Sequence, residues 1–189
     1  MDSPGQVFKL RLATEDDVPG LRRLIDLSVR VLQRHDYSPE QLEAALGTVY
    51  GVDTQLIADQ TYYVVEVGDA TDGKTLAACG GWSMRKTLFG SDQGPHRNSE
   101  LLNPSTDAAK IRAFFVHPDW ARRGLGRLIL ETCEEAALGR GFRRFEMGAT
   151  LTGAPMYAAC GYAKDESIEV PLANGLSLTV VRMSKTIGA

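Results

Sequence analysis

Val116-His117-Pro118-Asp119-Trp120-Ala121-Arg122-Arg123-Gly124-Leu125-Gly126-Arg127 is the stretch that decides the fold. Upstream of it, Ile111 to Val116 is an apolar run that stops at His117-Pro118, since proline cannot donate to a β-ladder. Downstream, Leu125, Leu128, Ile129, Thr132 and Ala136 recur at helical spacing, the buried stripe of a helix that ends near Gly139 or Gly141. A strand therefore runs through a tight turn directly into a helix. The first amides of a helix lack intrahelical partners and stand at its positive dipole end, and glycines beside them let an anion approach the main chain closely. Such a turn can cradle a pyrophosphate, with Arg122, Arg123 and Arg127 adding charge-assisted contacts. A Gly-x-Gly alone also fits nothing more than a tight turn with close strand–helix packing.

Two nucleotide-binding alternatives fail on spelling. A Walker loop needs Gly-Lys-Ser/Thr at its end, and a Rossmann fingerprint needs a small residue three after the second glycine, where Ile129 stands. The rest of the chain reads as mixed α/β without internal repeats. Val7 to Ala13 alternates as a strand. Thr14-Glu15-Asp16-Asp17 opens a helix that runs to about Arg34. Ser38-Pro39-Glu40-Gln41 opens a second, ending near Gly51, with an N-cap serine, proline at the first helical position and glutamine at the third. Tyr62 to Val67 and Leu76 to Met84 form a hairpin across Asp72-Gly73. Phe142 to Met147 is a strand, Pro155 to Cys160 a short helix closed by Gly161, and two last strands flank the turn signal Asn174-Gly175. Residues 87–107, rich in Gly, Pro, Asn and Ser, form a long loop of the kind that covers a substrate or moves.

A second motif follows one helix and one strand after the first: Pro155-Met156-Tyr157-Ala158-Ala159-Cys160-Gly161-Tyr162. In that order and separation the pair resembles the GNAT acetyltransferase superfamily, whose acyl-CoA loop reads Gln/Arg-x-x-Gly-x-Gly/Ala and whose later motif reads Phe-Tyr-x-x-x-Gly-Phe/Tyr. Gly124 and Gly126 match; Ala121 stands where the family has Gln or Arg, and Thr152 where it usually has Asn. The resemblance, from Phe8 to Lys185, implies a single domain over residues 1–189 with the acyl-CoA acyltransferase fold. That fold is a central, twisted, mixed but mostly antiparallel sheet of about seven strands flanked by about four helices.

The resemblance also implies acetyl-CoA as cosubstrate and an amine as acceptor. The strands ending at Val116 and Met147 would splay, leaving Phe115 and Val116 to hydrogen-bond the pantetheine arm as an added strand would. Arg122, Arg123, Gly124, Leu125, Gly126 and Arg127 would hold the diphosphate. An attacking amine must lose a proton and the departing thiolate must gain one. Tyr157 matches the family's general acid, and Glu146, in the strand before it, is the candidate base, with water relayed to bulk as the rival. His35, His96 and His117 are alternatives because imidazole titrates near neutrality. A catalytic role for Cys160 is set aside because no histidine lies near it in sequence to generate a thiolate. The second class of function is a non-catalytic acyl-CoA-binding or sensing module. A homodimer is a common outcome for the family.

Bulk properties narrow the partners. A formal net charge of -3 supplies no basic field for gathering phosphate backbones, which sets nucleic acid and anionic membranes aside. An apolar fraction of 43% with 24% charged residues suits a packed core rather than disorder. The N-terminus MDSPGQVFKL lacks the charged start and apolar run of a signal peptide, and nowhere do enough apolar residues follow one another to span a bilayer, so a cytoplasmic location is expected. Cys79, Cys133 and Cys160 have neither metal spacing nor pairing pattern and read as reduced thiols.

Overall fold

The computed structural model describes residues 7–68, 75–94 and 97–188. The Asp72-Gly73 turn and His96 lie outside the described residues. Along the chain run β1 (Val7–Leu12), α1 (Val18–Leu32), α2 (Pro39–Ala45), α3 (Thr54–Ala58), β2 (Tyr62–Gly68), β3 (Thr75–Ser83), β4 (Ala109–Val116), α4 (Leu125–Gly139), β5 (Arg144–Thr150), α5 (Ala154–Ala159), β6 (Ala163–Pro171) and β7 (Ser177–Thr186). The strands form one sheet in the order β1-β2-β3-β4-β5-β7-β6. This is the expected mixed, seven-stranded sheet, with five α-helices rather than about four.

The helix starts obey their capping signals. At α2 the Ser38 Oγ accepts the Gln41 N–H (3.2 Å) while Gln41 Oε1 accepts the Ser38 N–H (2.8 Å), so two orphan donors are satisfied reciprocally. The expected second helix to Gly51 is corrected: α2 ends at Ala45, Leu46 turns extended, and Gly47 takes φ +85°. The short α3 that follows carries no strong start signal, because Asp53 makes no cap hydrogen bond and instead faces Arg112 and Arg97.

Two hydrophobic cores sit on the two faces of the sheet. One packs α4 and α5 against β3, β4 and β5 through residues such as Trp82, Ile129, Phe142 and Phe145. The other packs α1, α2 and α3 through Leu21, Ile25, Leu56, Tyr62 and Leu178. Residues 84–108 are tethered to this frame: Arg85 pairs with Asp59 (2.7 Å), Arg97 with Asp53 (3.0 Å), and main-chain bonds join Lys86 to Glu100 and Thr87 to Asn98.

The feature that positions the site is the middle of the sheet. Among the described residues β4 and β5 are its only parallel neighbours, and they pair at just Ala109–Phe145 and Lys110–Glu146. Beyond that the strands part. On the other edge of β4, Cys79 faces Phe115 while Gly81 faces Arg112, so two residues on β4, Ala113 and Phe114, oppose one on β3, Gly80. This is a β-bulge, and Ala113 within it takes φ +58°, a left-handed conformation costing an alanine about 1–2 kcal/mol. The bulge turns the C-terminal half of β4 away from β5 and opens a slot.

Candidate active site

The slot widens into a cleft of about 570 Å³ between β4, the start of α4, α5 and the C-terminal end of α1. At the α4 end of the cleft the turn has the geometry read from the sequence. Gly124, the N-cap of α4, takes φ +81°, and a Cβ built there would meet no protein atom within 4 Å: the space in front of it is open. Arg122, at φ +64°, Gly124, Leu125, Gly126 and Arg127 all line the cleft. Gly126 lies under Met156, whose Sδ would stand 3.0 Å from an added Cβ. Arg123 does not line the cleft; its guanidinium stacks over Trp120, 4.8 Å from the ring centroid.

Phe115 and Val116 form the floor. The Phe115 ring is buried in the α1-side core, so only its main chain belongs to the slot. The Val116 N–H, with no β5 residue opposite, donates to the Ser28 Oγ of α1 (3.3 Å). At the far wall the Thr152 hydroxyl is held by Asp36 (2.6 Å), and Leu151 N–H donates to Tyr37 Oη (2.8 Å), which in turn donates to the Thr179 carbonyl (2.7 Å). The α1–α2 corner is thereby strapped to the ends of β5 and β7.

Tyr157 stands on α5 at the end of the slot, 7% exposed, with its ring edge-on to Phe114 (6.0 Å between centroids) and Tyr162 (6.1 Å). Its hydroxyl makes no hydrogen bond with the described residues. Burial pushes the phenol well above its usual value, with the Cys133 and Cys160 thiols adding to the rise. Tyr157 also lines a second, inner cavity of about 100 Å³, which shares Phe114, Phe115, Thr150 and Gly153 with the cleft. Tyr157 thus stands in the wall between the two spaces. The inner cavity is walled by Tyr50, Phe89, Ile111, Met147 and Val180, and Arg112, the one charged lining residue among the described residues, is neutralised by Asp53 at 2.7 Å.

Glu146 stands apart from both spaces: its carboxylate is clamped between Lys110 and Arg182 (2.6 Å), and it lines neither cavity. His117 lines neither space either: its Nδ1 accepts the Asp119 N–H (3.2 Å) as the cap of a 3-10 turn. His35 is exposed in the α1–α2 corner, outside both linings. Sequence reasoning missed Ser28, Gln33, Tyr50, Phe89 and Arg112. None sits in a motif: Ser28 and Gln33 reach the site because α1 packs over the sheet, Tyr50 and Phe89 because the turn after α2 and the segment after β3 fold over it, and Arg112 stands on β4 beside the bulge.

Similarity to known proteins agrees with this architecture. The family model described as "Acetyltransferase (GNAT) family" matches residues 27–162, more than two thirds of the chain. No curated protein sequence matches. Among solved structures, a GCN5-related N-acetyltransferase of Rhodopseudomonas palustris superposes with a TM-score of 0.68 at 19% identity, covering 99% of this chain and 100% of that one. The PaiA N-acetyltransferase of Thermoplasma acidophilum, crystallised in complex with coenzyme A, gives 0.62 at 11% identity over 95% and 99%. The ribosomal-protein-S18-alanine N-acetyltransferase of Escherichia coli gives 0.57 at 14% over 97% and 96%. At these identities the structures speak for the fold, and with the sequence match over both motifs they lead to one statement: this chain belongs to the GNAT acetyltransferase family.

Proposed function

We propose that the chain transfers an acetyl group from acetyl-CoA directly to a primary amine, with Tyr157 as general acid. The observation that carries this reading is the position of Tyr157 on the wall shared by the cleft and the inner cavity. The cradle around Gly124 and Gly126 takes the diphosphate, the split between β4 and β5 takes the pantetheine arm, and the thioester lies where the two spaces meet. The amine nitrogen attacks the thioester carbon, the C–S bond breaks, and the leaving thiolate takes the phenolic proton. The phenoxide recovers a proton that the amine has released to water.

No carboxylate or imidazole is among the described residues lining the inner cavity, so water rather than a side chain carries the amine's proton away. The same lining constrains the acceptor. A second ammonium group buried there would find no anion and would cost several kcal/mol. We therefore read the acceptor as an amine on a compact, apolar body, in preference to polyamines and aminoglycosides.

The test is thiol release from acetyl-CoA across an amine panel, with wild type and Tyr157→Phe. Losing the acid should lower kcat by about 10²-fold while the KM for acetyl-CoA moves less than about 3-fold. Because the Tyr157 phenol is raised, its proton stays in place above pH 10, so the wild-type rate should climb as the amine deprotonates, with no alkaline fall below that pH. Full activity in Tyr157→Phe would remove the acid role. Saturable CoA binding without thiol release for any amine would point instead to a binding or sensing module.

A further inference from the structure

Gly148 stands within β5, yet its backbone does not require glycine, because its φ lies outside the left-handed region. What requires glycine there is space. A Cβ built on Gly148 would stand 2.8 Å from Cδ1 of Phe89 and 3.4 Å from its Cγ, so the ring lies directly on the β5 main chain. A glycine inside a strand marks such a close approach. Both residues line the inner cavity, and Phe89 does not line the cleft.

The chain on either side of Phe89 is pinned. Before it, Thr87 Oγ1 donates to the Asn98 carbonyl (2.9 Å). After it, the Gly90 carbonyl accepts from Arg112 (2.6 Å), and Ser91 Oγ donates to the Gly47 and Thr48 carbonyls (2.9 Å each). With the segment held at both ends and bare backbone beneath it, the ring is a wall rather than a passing contact. The space it leaves is small: about 100 Å³, against roughly 150 Å³ for an engineered apolar cavity that takes up benzene. A short branched alkyl group fits that space, and an aromatic ring does not.

Resting on the acetyl-transfer reading above, we infer that Phe89, seated on Gly148, is the specificity-determining residue for the acceptor, admitting short aliphatic amines and excluding arylmethyl amines. The limit is set by the long connection between β3 and β4, which carries Phe89 into the cavity, and by the missing side chain on β5 that lets the ring settle there.

Thiol release from acetyl-CoA with isobutylamine and with benzylamine tests this, each kcat/KM being expressed per unprotonated amine. Wild type should favour isobutylamine by about tenfold or more. In Phe89→Ala the benzylamine value should rise about tenfold while the isobutylamine value falls, inverting the preference. The KM for acetyl-CoA should stay within about twofold, because Phe89 does not line the cleft. Phe89→Leu keeps an apolar cover on the cavity and should shift the ratio the same way by less, which serves if alanine unfolds the segment. Gly148→Ala should lower the isobutylamine value in the wild-type background but not in Phe89→Ala, where the methyl enters the space the ring has left. Wild type that uses both amines equally overturns the inference, as does an unchanged ratio in both Phe89 variants or a parallel loss with both amines, which would mark the ring as structural. Wild type that releases thiol only with larger amines overturns this inference and spares the proposed function. No release with any amine of the panel overturns both.

Discussion

Replacing Gly124 with alanine separates the two roles that a glycine can have at this turn. Its φ of +81° carries a backbone strain of about 1–2 kcal/mol for alanine, and no protein atom lies within 4 Å of the new methyl to add a clash. Stability should therefore fall only by that amount, a drop in Tm of roughly 2–8 °C for a chain of this size. Binding should suffer more. The methyl projects into the open front of the α4 N-terminus, where a diphosphate must come within hydrogen-bond range of main-chain amides. One lost charge-assisted bond is worth about 1.5–3 kcal/mol, or roughly a 10- to 150-fold rise in the Kd for CoA. Calorimetric titration and thermal unfolding in one buffer read both quantities. Gly139→Ala, at the far end of the same helix and without close neighbours, is the control and should leave affinity unchanged. Gly126→Ala should fall between the two, since its methyl would press on the movable thioether of Met156. If Gly124→Ala lowers Tm as stated yet binds CoA within twofold of wild type, the turn does not hold phosphate and the reasoning fails.

Glu146→Gln should cost about 3 kcal/mol of stability in urea unfolding, because Lys110 and Arg182 would lose their shared anion, while kcat stays within about 3-fold of wild type. A hundredfold loss of kcat in a stable variant would restore Glu146 as the base. Acid should weaken the fold through Asp17 and Asp59, whose carboxyls are held below the usual range chiefly by Arg11 and Arg85. A depressed folded pKa means stability is present above about pH 4, where the unfolded carboxylate is already ionised, and is lost as pH falls through the folded value. Asp59→Asn should accordingly lose about 1 kcal/mol at pH 7 and nothing near pH 2, measured by urea unfolding across pH. An equal loss at both would assign Asp59 a role other than its pair with Arg85.

The parts of this molecule that were legible in its sequence are those fixed by local rules. Capping at Ser38 and the glycines of the turn before α4 follow from neighbours within a few residues, and the structure has them as read, whereas the buried stripe of α4 is corrected to Leu125, Ile129, Leu130, Cys133 and Ala137, with Leu128 41% exposed. Two boundaries were misread for physical reasons. α2 stops at Ala45 because Leu46 and Gly47 leave the helical region, although the residues up to Gly51 remain compatible with a helix by composition. β6 starts at Ala163, well before the expected Ile168, because it is an edge strand whose side chains are mostly exposed, so no alternation of apolar residues betrays it. At the site the division is similar. Tyr157 and the Gly124–Gly126 turn could be found from spelling. The commitment of Glu146 to two cations depends on β4 and β7 bringing Lys110 and Arg182 beside it.

The bulge at Ala113 bears on kinetics as well as shape. Its left-handed residue is held by the register with β3, and its carbonyl accepts from Tyr62 Oη (3.4 Å), so the parting of β4 from β5 needs no guest to create it. An incoming donor meets a gap that is already formed rather than a ladder that must first be unzipped. Little reorganisation is then charged against affinity, and mixing the protein with CoA should give a single, concentration-dependent phase without a slow isomerisation behind it.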